Sequence, residues 1–474
     1  MLDTDRSSSI PALVDRGGFS TNAGRAHLVG ARGAGMKALG ELLGDLGWSL
    51  SGSDMSEPGE SDSPASFELR TGHAPSNVPI DAQLLIHSPA ISSQNPERQF
   101  AREVGIPELS YTEMLAQLMR DRVGVCVAGT HGKTTTTAMV ASILRECGLE
   151  PSAAVGGELV QYRRSGWAGS GRHLVVESCE YRRHFLDFSP SLAAILNLEA
   201  DHFDCFPSLE AAVEAFSSFA ALIAPDGVLV VPGFASAQFD EITQHCAARV
   251  ERFSFDPTSD WSAVEIRSKG PLTQFRLLRQ GRSFGEIELK VPGRHNVLNA
   301  LAAAALASAA GGQATDICEA LSDFRGVRRR FEILGDWRGV TVIDDYAHHP
   351  TAVRATIQAA RQFFGQRRLI CVFQPHQVSR TLGLMDEFAT CFAGADDVLL
   401  VPIFAARESA ETALAAQTQL AQRAATNGVS IRQITSLDRL QATLDYAARP
   451  GDVLLIMGAG DINRMGYELT RNIS

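Results

Sequence analysis

Nine consecutive residues, Gly129-Thr-His-Gly-Lys-Thr-Thr-Thr-Thr137, constrain this chain more than any other segment. The run at 123–128 that precedes them, Val-Gly-Val-Cys-Val-Ala, reads as a strand, and apolar residues at 139, 140, 143, 144 and 147 keep a helical spacing behind them. A strand that turns through glycines into a helix, with a lysine and a hydroxyl at the turn, is an arrangement that holds nucleotide phosphates. Backbone N–H groups at the helix N-terminus face the anion, the lysine adds a point charge, and the hydroxyl binds Mg²⁺. The glycine that the general P-loop carries five residues before Gly132 is Val127 here, so the strand-to-helix context supports the reading as much as the pattern does. An ATP-using protein is expected, with Gly129, Thr130, His131, Gly132, Lys133, Thr134 and Thr135 at the phosphates.

Composition bounds the rest. A length of 474 residues suggests about three domains at roughly 150 residues each, and 45% hydrophobic with 20% charged residues is an ordinary globular balance. A net charge of −11 argues against a large nucleic-acid surface, and no apolar run reaches the length of a membrane span. Eight cysteines lie scattered without a Cys-x-x-Cys pair, which fits a reducing cytoplasm better than a disulfide framework or a zinc site. Residues 1–24 are polar, carry no signal segment, and read as a disordered tail. Small-molecule substrates, no nucleic acid, no membrane, and a monomer or homodimer are expected.

Apolar strands alternate with amphipathic helices through the remainder, the pattern of parallel α/β layers. Three blocks follow: 25–122, opening on a glycine loop; 123–325, opening on the phosphate loop and containing a more β-like insert at about 250–291; and 326–474. The first loop, Gly33-x-Gly35-x-x-Ala38 with Asp54 beyond it, imitates a dinucleotide-binding fingerprint, and a nucleotide-sugar diphosphate would fit it equally well. In the second block, Glu177 ends a strand, Glu180 follows, and His202 comes just after the next strand. Ligands gather beyond the carboxyl ends of such strands, so Glu177, His202 and Lys133 are expected to converge, with Thr134, Glu177 and His202 as Mg²⁺ ligands. Asn296 and Asn299 stand at i and i+3, where their amides either read a purine edge or, for Asn296, cap the helix. The third block adds Arg328-Arg-Arg330, Asp344-Asp345-Tyr-Ala-His348-His349 and Gln374-Pro-His376-Gln-Val-Ser-Arg380. The arginines suit charge developing in phosphoryl transfer, and Arg380 suits a two-bond grip on a carboxylate.

The ordered set resembles the Mur ligases of peptidoglycan synthesis from about residue 26 to the C-terminus. The signatures are the phosphate loop, Gly293-x-His-Asn-x-x-Asn299, Val327-Arg-Arg-Arg-Phe-Glu332, Asp344-Asp-Tyr-Ala-His-His-Pro-Thr351, Phe373-Gln-Pro-His-x-x-Ser-Arg-Thr381 and Gly458-Ala-Gly-Asp-Ile462. Ser51-Gly-Ser-Asp54, Gly72-His-Ala74 and Ser88-Pro-Ala-Ile91 match more loosely. The resemblance implies a Rossmann-like N-terminal domain for a UDP-sugar, a central P-loop ATPase-like domain and a Rossmann-like C-terminal domain for the amino acid. It implies that ATP activates the carboxylate of UDP-N-acetylmuramate as an acyl phosphate, which an amine then attacks. Lys133, Glu177, His202 and Arg330 would carry the chemistry. Asn296 and Asn299 would bind adenine, and Arg330 and Asp345 would contact the nucleotide. His348, His376 and Arg380 would face the amino acid, with Gly33, Gly35, Ser53, Asp54, His73 and Ser88 on the UDP-sugar side.

Three departures stand out. Arg32 replaces a glycine in the first loop, Cys179 replaces an acid between the two glutamates, and Tyr111-Thr112 replaces the usual basic residue and alanine before Glu113. The lysine count then selects within the family. Only four of the 43 lysine-plus-arginine residues are lysines, and none lies between Lys133 and Lys269. Ligases adding later peptide residues carry a carbamylated lysine in that interval. What remains is the branch that adds L-alanine, with the related tripeptide-recycling branch as the alternative.

Overall fold

The computed structural model describes residues 24–57, 67–201, 203, 205–405 and 410–471. The expected tail, all but Gly24, and His202 lie outside the described residues. Three sheets follow one another along the chain, as the alternation of strands and helices predicts. The first lobe has five parallel strands in the order Glu68–Thr71, Ser49–Asp54, Arg25–Val29, Leu84–His87, Glu108–Ser110. The chain reverses its direction of travel across the sheet beside Arg25–Val29, which opens a crevice above the glycine loop.

The central sheet has ten strands. Its middle is parallel: Val228–Pro232, Leu192–Ile195, Val123–Ala128, His173–Glu177 and Ser152–Leu159 lie side by side. The β-like insert is no separate layer. Arg249–Ser254 and Trp261–Lys269 continue the sheet in parallel, and Leu272–Arg279 and Arg282–Leu289 extend it antiparallel. Helix Arg294–Ala309 is alanine-rich, and that composition gives it no polar face, so it is buried on nearly all sides. It packs against helix Lys133–Glu146, whose inward residues include Ala138, Met139 and Ile143. The third sheet has six strands, with Glu332–Trp337 antiparallel at the edge and Val340–Asp345, Val453–Gly458, Leu369–Gln374, Asp397–Leu400 and Ile431–Gln433 parallel. Among the described residues, no helix is long and apolar enough to cross a membrane.

The first two lobes are joined through close main-chain packing. Strand Arg164–Trp167 lies on helix Ala34–Asp45, and the Glu41 carboxylate accepts from the N–H groups of Ser165 and Gly166, both at 2.8 Å. Asp45 accepts from Ala168 N–H at 3.0 Å and pairs with Arg164 at 2.9 Å. Gly166 is obligatory, because a Cβ there would sit 2.0 Å from the Ala38 carbonyl oxygen. Gly166→Ala should therefore push the two lobes apart and lower stability by about 1–3 kcal/mol, the usual range for overpacking. Urea unfolding followed by intrinsic fluorescence checks this; an unchanged midpoint would show that the contact is slack.

Candidate nucleotide and acceptor cavities

Helix Lys133–Glu146 begins at Gly132 with no side-chain cap, so its first N–H groups are left for a ligand. Two glycines are forced by what surrounds the turn. Gly129 has φ +128° against the Leu196 and Asn197 backbone. Gly132 has φ +82°, and a Cβ on it would lie 2.6 Å from Asn299 Oδ1. Asn197, which the sequence reading did not single out, holds the loop in place. Its Oδ1 accepts from His131 N–H at 2.7 Å and its amide donates to the His131 carbonyl at 3.0 Å. Lys133 Nζ donates to both Glu180 oxygens, at 2.8 and 3.1 Å, and to the Gly129 and Thr130 carbonyls. Burial opposes the charge on Lys133, but the Glu180 carboxylate outweighs it and drives the ammonium's pKa up, so the side chain is a fixed cation.

A cavity of about 350 Å³ opens beside this loop. Its walls include His131, Gly132, Thr134, Thr135, Asn296 and Asn299, and the rings of Phe234 and Phe253 give it an apolar side. The two asparagines do share a face: Asn299 Nδ2 donates to Asn296 Oδ1 at 3.0 Å, and Asn296 Nδ2 donates to the Pro292 carbonyl at 2.7 Å. The capping alternative for Asn296 is incorrect. The helix starts at Arg294, so Asn296 lies inside its first turn and its amide bonds backwards. Third-lobe residues Arg330, Asp345 and Thr351 complete the wall.

A second cavity of about 560 Å³ lies where all three lobes meet. It is lined by Gly35 and Arg32 from the first lobe, Thr134, Glu177 and Cys179 from the second, and Arg328, Arg329, Arg330, Tyr346 and Tyr467 from the third. Tyr111 also lines it, and its ring comes within 3.0 Å of a Cβ placed on Gly35, which explains that glycine. Arg32 Nε is buried without a hydrogen bond, a donor awaiting an acceptor. Arg330 donates to Thr134 Oγ1 at 3.0 Å, and its guanidinium lies 4.8 Å from the centre of the Tyr346 ring. Glu177 Oε2 accepts from Gly156 N–H at 2.9 Å. Tyr467 and Tyr346 complete this cavity from distant loops and the last helix, and no local motif marked Tyr467.

Other expected residues are placed differently. Asp345 is 9% exposed, and its two oxygens accept from Phe331 N–H at 2.8 Å and Ala347 N–H at 2.7 Å, so it fixes the loops at the cavity edge. Its neighbour Asp344 is fully buried without hydrogen bonds, and burial raises its carboxyl to about 7 even with Arg329 at 3.4 Å. His348 donates through Nδ1 to the Tyr346 carbonyl, 2.9 Å away, and lies beside His376 with ring centres 6.0 Å apart. Burial, then the Arg380 charge, hold His348 well below its usual pKa, so it is neutral. Arg380 is 3% exposed and engaged across the lobes, donating to Asp201 Oδ1 at 2.8 Å and to the His376 carbonyl at 3.2 Å. His348, His376 and Arg380 line neither cavity.

In the first lobe, Asp54 does not stand free for a ribose. It accepts from Arg32 N–H at 2.9 Å and shapes the glycine loop, in which Gly33 is the uncapped start of the helix. Ser53 and His73 belong to a buried network around Glu97 with His27 and Asn77, and Ser88 Oγ accepts from Ala90 N–H at 3.3 Å. Burial works against ionisation of Glu97, and His27, Ser53 and Asn77 together overcome it and hold the carboxyl below its usual value.

Three family descriptions cover this frame in order: "Mur ligase family, catalytic domain" at residues 25–123, "Mur ligase middle domain" at 127–307, and "Mur ligase, glutamate ligase domain" at 329–460. A UDP-N-acetylmuramate–L-alanine ligase of Desulfitobacterium hafniense is 37% identical over 454 residues, covering 94% of this chain and 98% of that one. The chain belongs to the Mur ligase family. Among solved structures, the UDP-N-acetylmuramate-alanine ligase of Thermotoga maritima superposes with a TM-score of 0.79 at 27% identity, covering 94% of this chain and 98% of that one. A murein peptide ligase of Psychrobacter arcticus gives 0.73 at 26% identity, with coverages of 95% and 100%.

Cys179, which the sequence marks as a departure from the family pattern, opens on the larger cavity between Glu177, Glu180 and Lys133. Desolvation first, then the Glu180 charge, push the thiol up to about 12 in spite of Lys133. The thiol is therefore protonated through the neutral range and is a poor nucleophile. Iodoacetamide at pH 7.5 should leave Cys179 essentially unlabelled, with the rate still climbing at pH 9; peptide mapping that finds it the fastest-reacting cysteine at pH 7.5 would contradict this.

Proposed function

We propose that this chain joins L-alanine to the lactyl carboxylate of UDP-N-acetylmuramate at the expense of ATP, in peptidoglycan precursor synthesis. The observation that carries the reading is a shared wall: Thr134 and Arg330 line both the nucleotide cavity and the larger cavity. A phosphoryl group held at that wall is within reach of a carboxylate on the other side. The identity to alanine-adding relatives over nearly the whole chain supports the choice of acceptor and amine.

ATP occupies the smaller cavity, its phosphates on the amides of 129–135 and its base beside Asn296 and Asn299. The acceptor carboxylate lies in the larger one, where Arg32 and the arginines of 328–330 balance its charge and that of the diphosphate. A carboxylate oxygen attacks the terminal phosphorus and ADP departs. The amine of alanine then attacks the acyl carbon, and the tetrahedral intermediate expels inorganic phosphate. Lys133 and Arg330 stabilise charge as it shifts to the leaving oxygen, Arg330 reaching across from the third lobe. A hydroxyl and a carboxylate, Thr134 and Glu177, face one cavity and suit a hard cation. Mg²⁺ held there, with His202 as the third ligand, would neutralise phosphate oxygens. The reaction belongs in the cytoplasm, where ATP and free thiols are maintained.

Phosphate release from ATP and UDP-N-acetylmuramate should require L-alanine, with the UDP-monopeptide visible by mass spectrometry. Release stimulated only by L-Ala-γ-D-Glu-diaminopimelate would reassign the chain to peptide recycling. Lys133→Ala should reduce turnover by roughly 10²–10³-fold, the scale of losing one preorganised charge donor, while UDP-sugar affinity stays near wild type. Unchanged turnover in that variant would remove the phosphate assignment. EDTA should stop ligation and added Mg²⁺ restore it; ligation that persists in EDTA would remove the metal from the reading.

A further inference from the structure

At the rim of the nucleotide cavity, three electron-pair donors from separate segments face one another. His131 comes from the phosphate loop, Glu199 follows strand Leu192–Ile195, and His349 precedes the third-lobe helix Pro350–Phe364. His131 Nε2 and His349 Nδ1 each lie 3.5 Å from Glu199 Oε2, and all three atoms fall within 4.8 Å of one another. Among the described residues, no other group of three histidine, cysteine or acidic side chains gathers in this way.

The hydrogen bonds fix what each atom offers. His349 Nδ1 accepts from Thr351 N–H at 3.3 Å, and its Nε2 faces the Ala200 carbonyl at 3.3 Å, an acceptor that requires the proton there. The Nδ1 lone pair, engaged by the long Thr351 N–H contact, lies 3.5 Å from the Glu199 carboxylate and would pass to an ion seated between them, and burial keeps the ring neutral with a pKa of about 4. His131 Nε2 is buried and makes no hydrogen bond. Thr351 Oγ1 donates to Glu199 Oε2 at 2.6 Å and His131 is anchored through its backbone by Asn197, so the donors are held from behind. A tetrahedron of metal–nitrogen and metal–oxygen bonds of about 2.0–2.2 Å has edges of about 3.3–3.6 Å, the separation found here between each imidazole and the carboxylate.

We propose that His131, Glu199 and His349 form a second cation site, separate from the Mg²⁺ position at Thr134 and Glu177, that takes a borderline divalent ion of the Zn²⁺ class. Two imidazoles and one carboxylate favour such an ion over Mg²⁺. The fourth position faces the cavity, where water or a phosphate oxygen completes the shell. Because His349 belongs to the third lobe and His131 to the phosphate loop, an ion here ties the two together. The proposal stands whether or not the chain ligates alanine.

The test uses the full chain, stripped with a chelator, desalted and kept in excess Mg²⁺. Zn²⁺ is titrated against a chromophoric chelator, and Co²⁺ serves as the optical probe. Wild type should hold one Zn²⁺ per chain and give the intense visible bands of a tetrahedral Co²⁺ site. Glu199→Gln and His349→Ala should each weaken Zn²⁺ at least ~10-fold, as outer-shell changes alone are worth 10–100-fold. His349→Cys, which keeps a donor, should retain Zn²⁺ and add a thiolate-to-cobalt band; it gives the same reading if His349→Ala does not fold. No Zn²⁺ retained in Mg²⁺, equal affinity across wild type and these variants, or loss only on Glu177→Gln would each overturn the proposal.

Discussion

Everything at the junction of the lobes depends on the guanidinium of Arg330 reaching Thr134 Oγ1 at 3.0 Å. Three adjacent cations would repel one another if they pointed the same way. Left-handed backbone at Arg329, φ 61°, and Phe331, φ 51°, turns them apart. Arg328 goes to Glu332, Glu158 and the Tyr467 hydroxyl. Arg329 goes to the Gly458 and Gly460 carbonyls and buried Asp344. Arg330 crosses to the phosphate loop. Non-glycine residues hold such backbone only where their surroundings fix it, and Asp345, which accepts from Phe331 N–H, supplies part of that fixation.

The fold was largely legible because its parallel strands are short apolar runs bounded by glycine and polar turns. Val123–Ala128 was readable to the residue. Boundaries failed where the cue was ambiguous. Asn296 is a good capping residue by type, yet Gly293 opens the helix, since its φ of +99° suits the turn and the chain is already helical at Arg294. The insert at 250–291 alternates like a half-exposed sheet, and nothing local says that it pairs with Val228–Pro232.

The site was legible where one short segment carries both the turn and the chemistry, as in the phosphate loop. It was not legible where the structure builds a role from distant partners. Glu180 neutralises Lys133, Asn197 braces His131, and Tyr467 arrives from the last helix. Asp54, Ser53 and His73 show the converse. Their residue types suit a ligand, but the geometry gives them neighbours to hold: Arg32 N–H for the first, and Glu97 for the other two.

The seam between strand Arg164–Trp167 and helix Ala34–Asp45 bears on how closely two lobes can be held together. There one carboxylate takes two backbone amides, and a missing side chain lets main chain touch main chain. Contacts of the third lobe with the centre combine main-chain bonds, Arg328 N–H to Glu158 and Val160 N–H to Gly326, with side-chain pairs such as Arg330 to Thr134, Arg380 to Asp201 and Thr351 to Glu199. Side-chain pairs can part and re-form without distorting a sheet, whereas a bare-backbone seam has no slack to give. At the first seam, then, even one added methyl group must displace a strand or a helix.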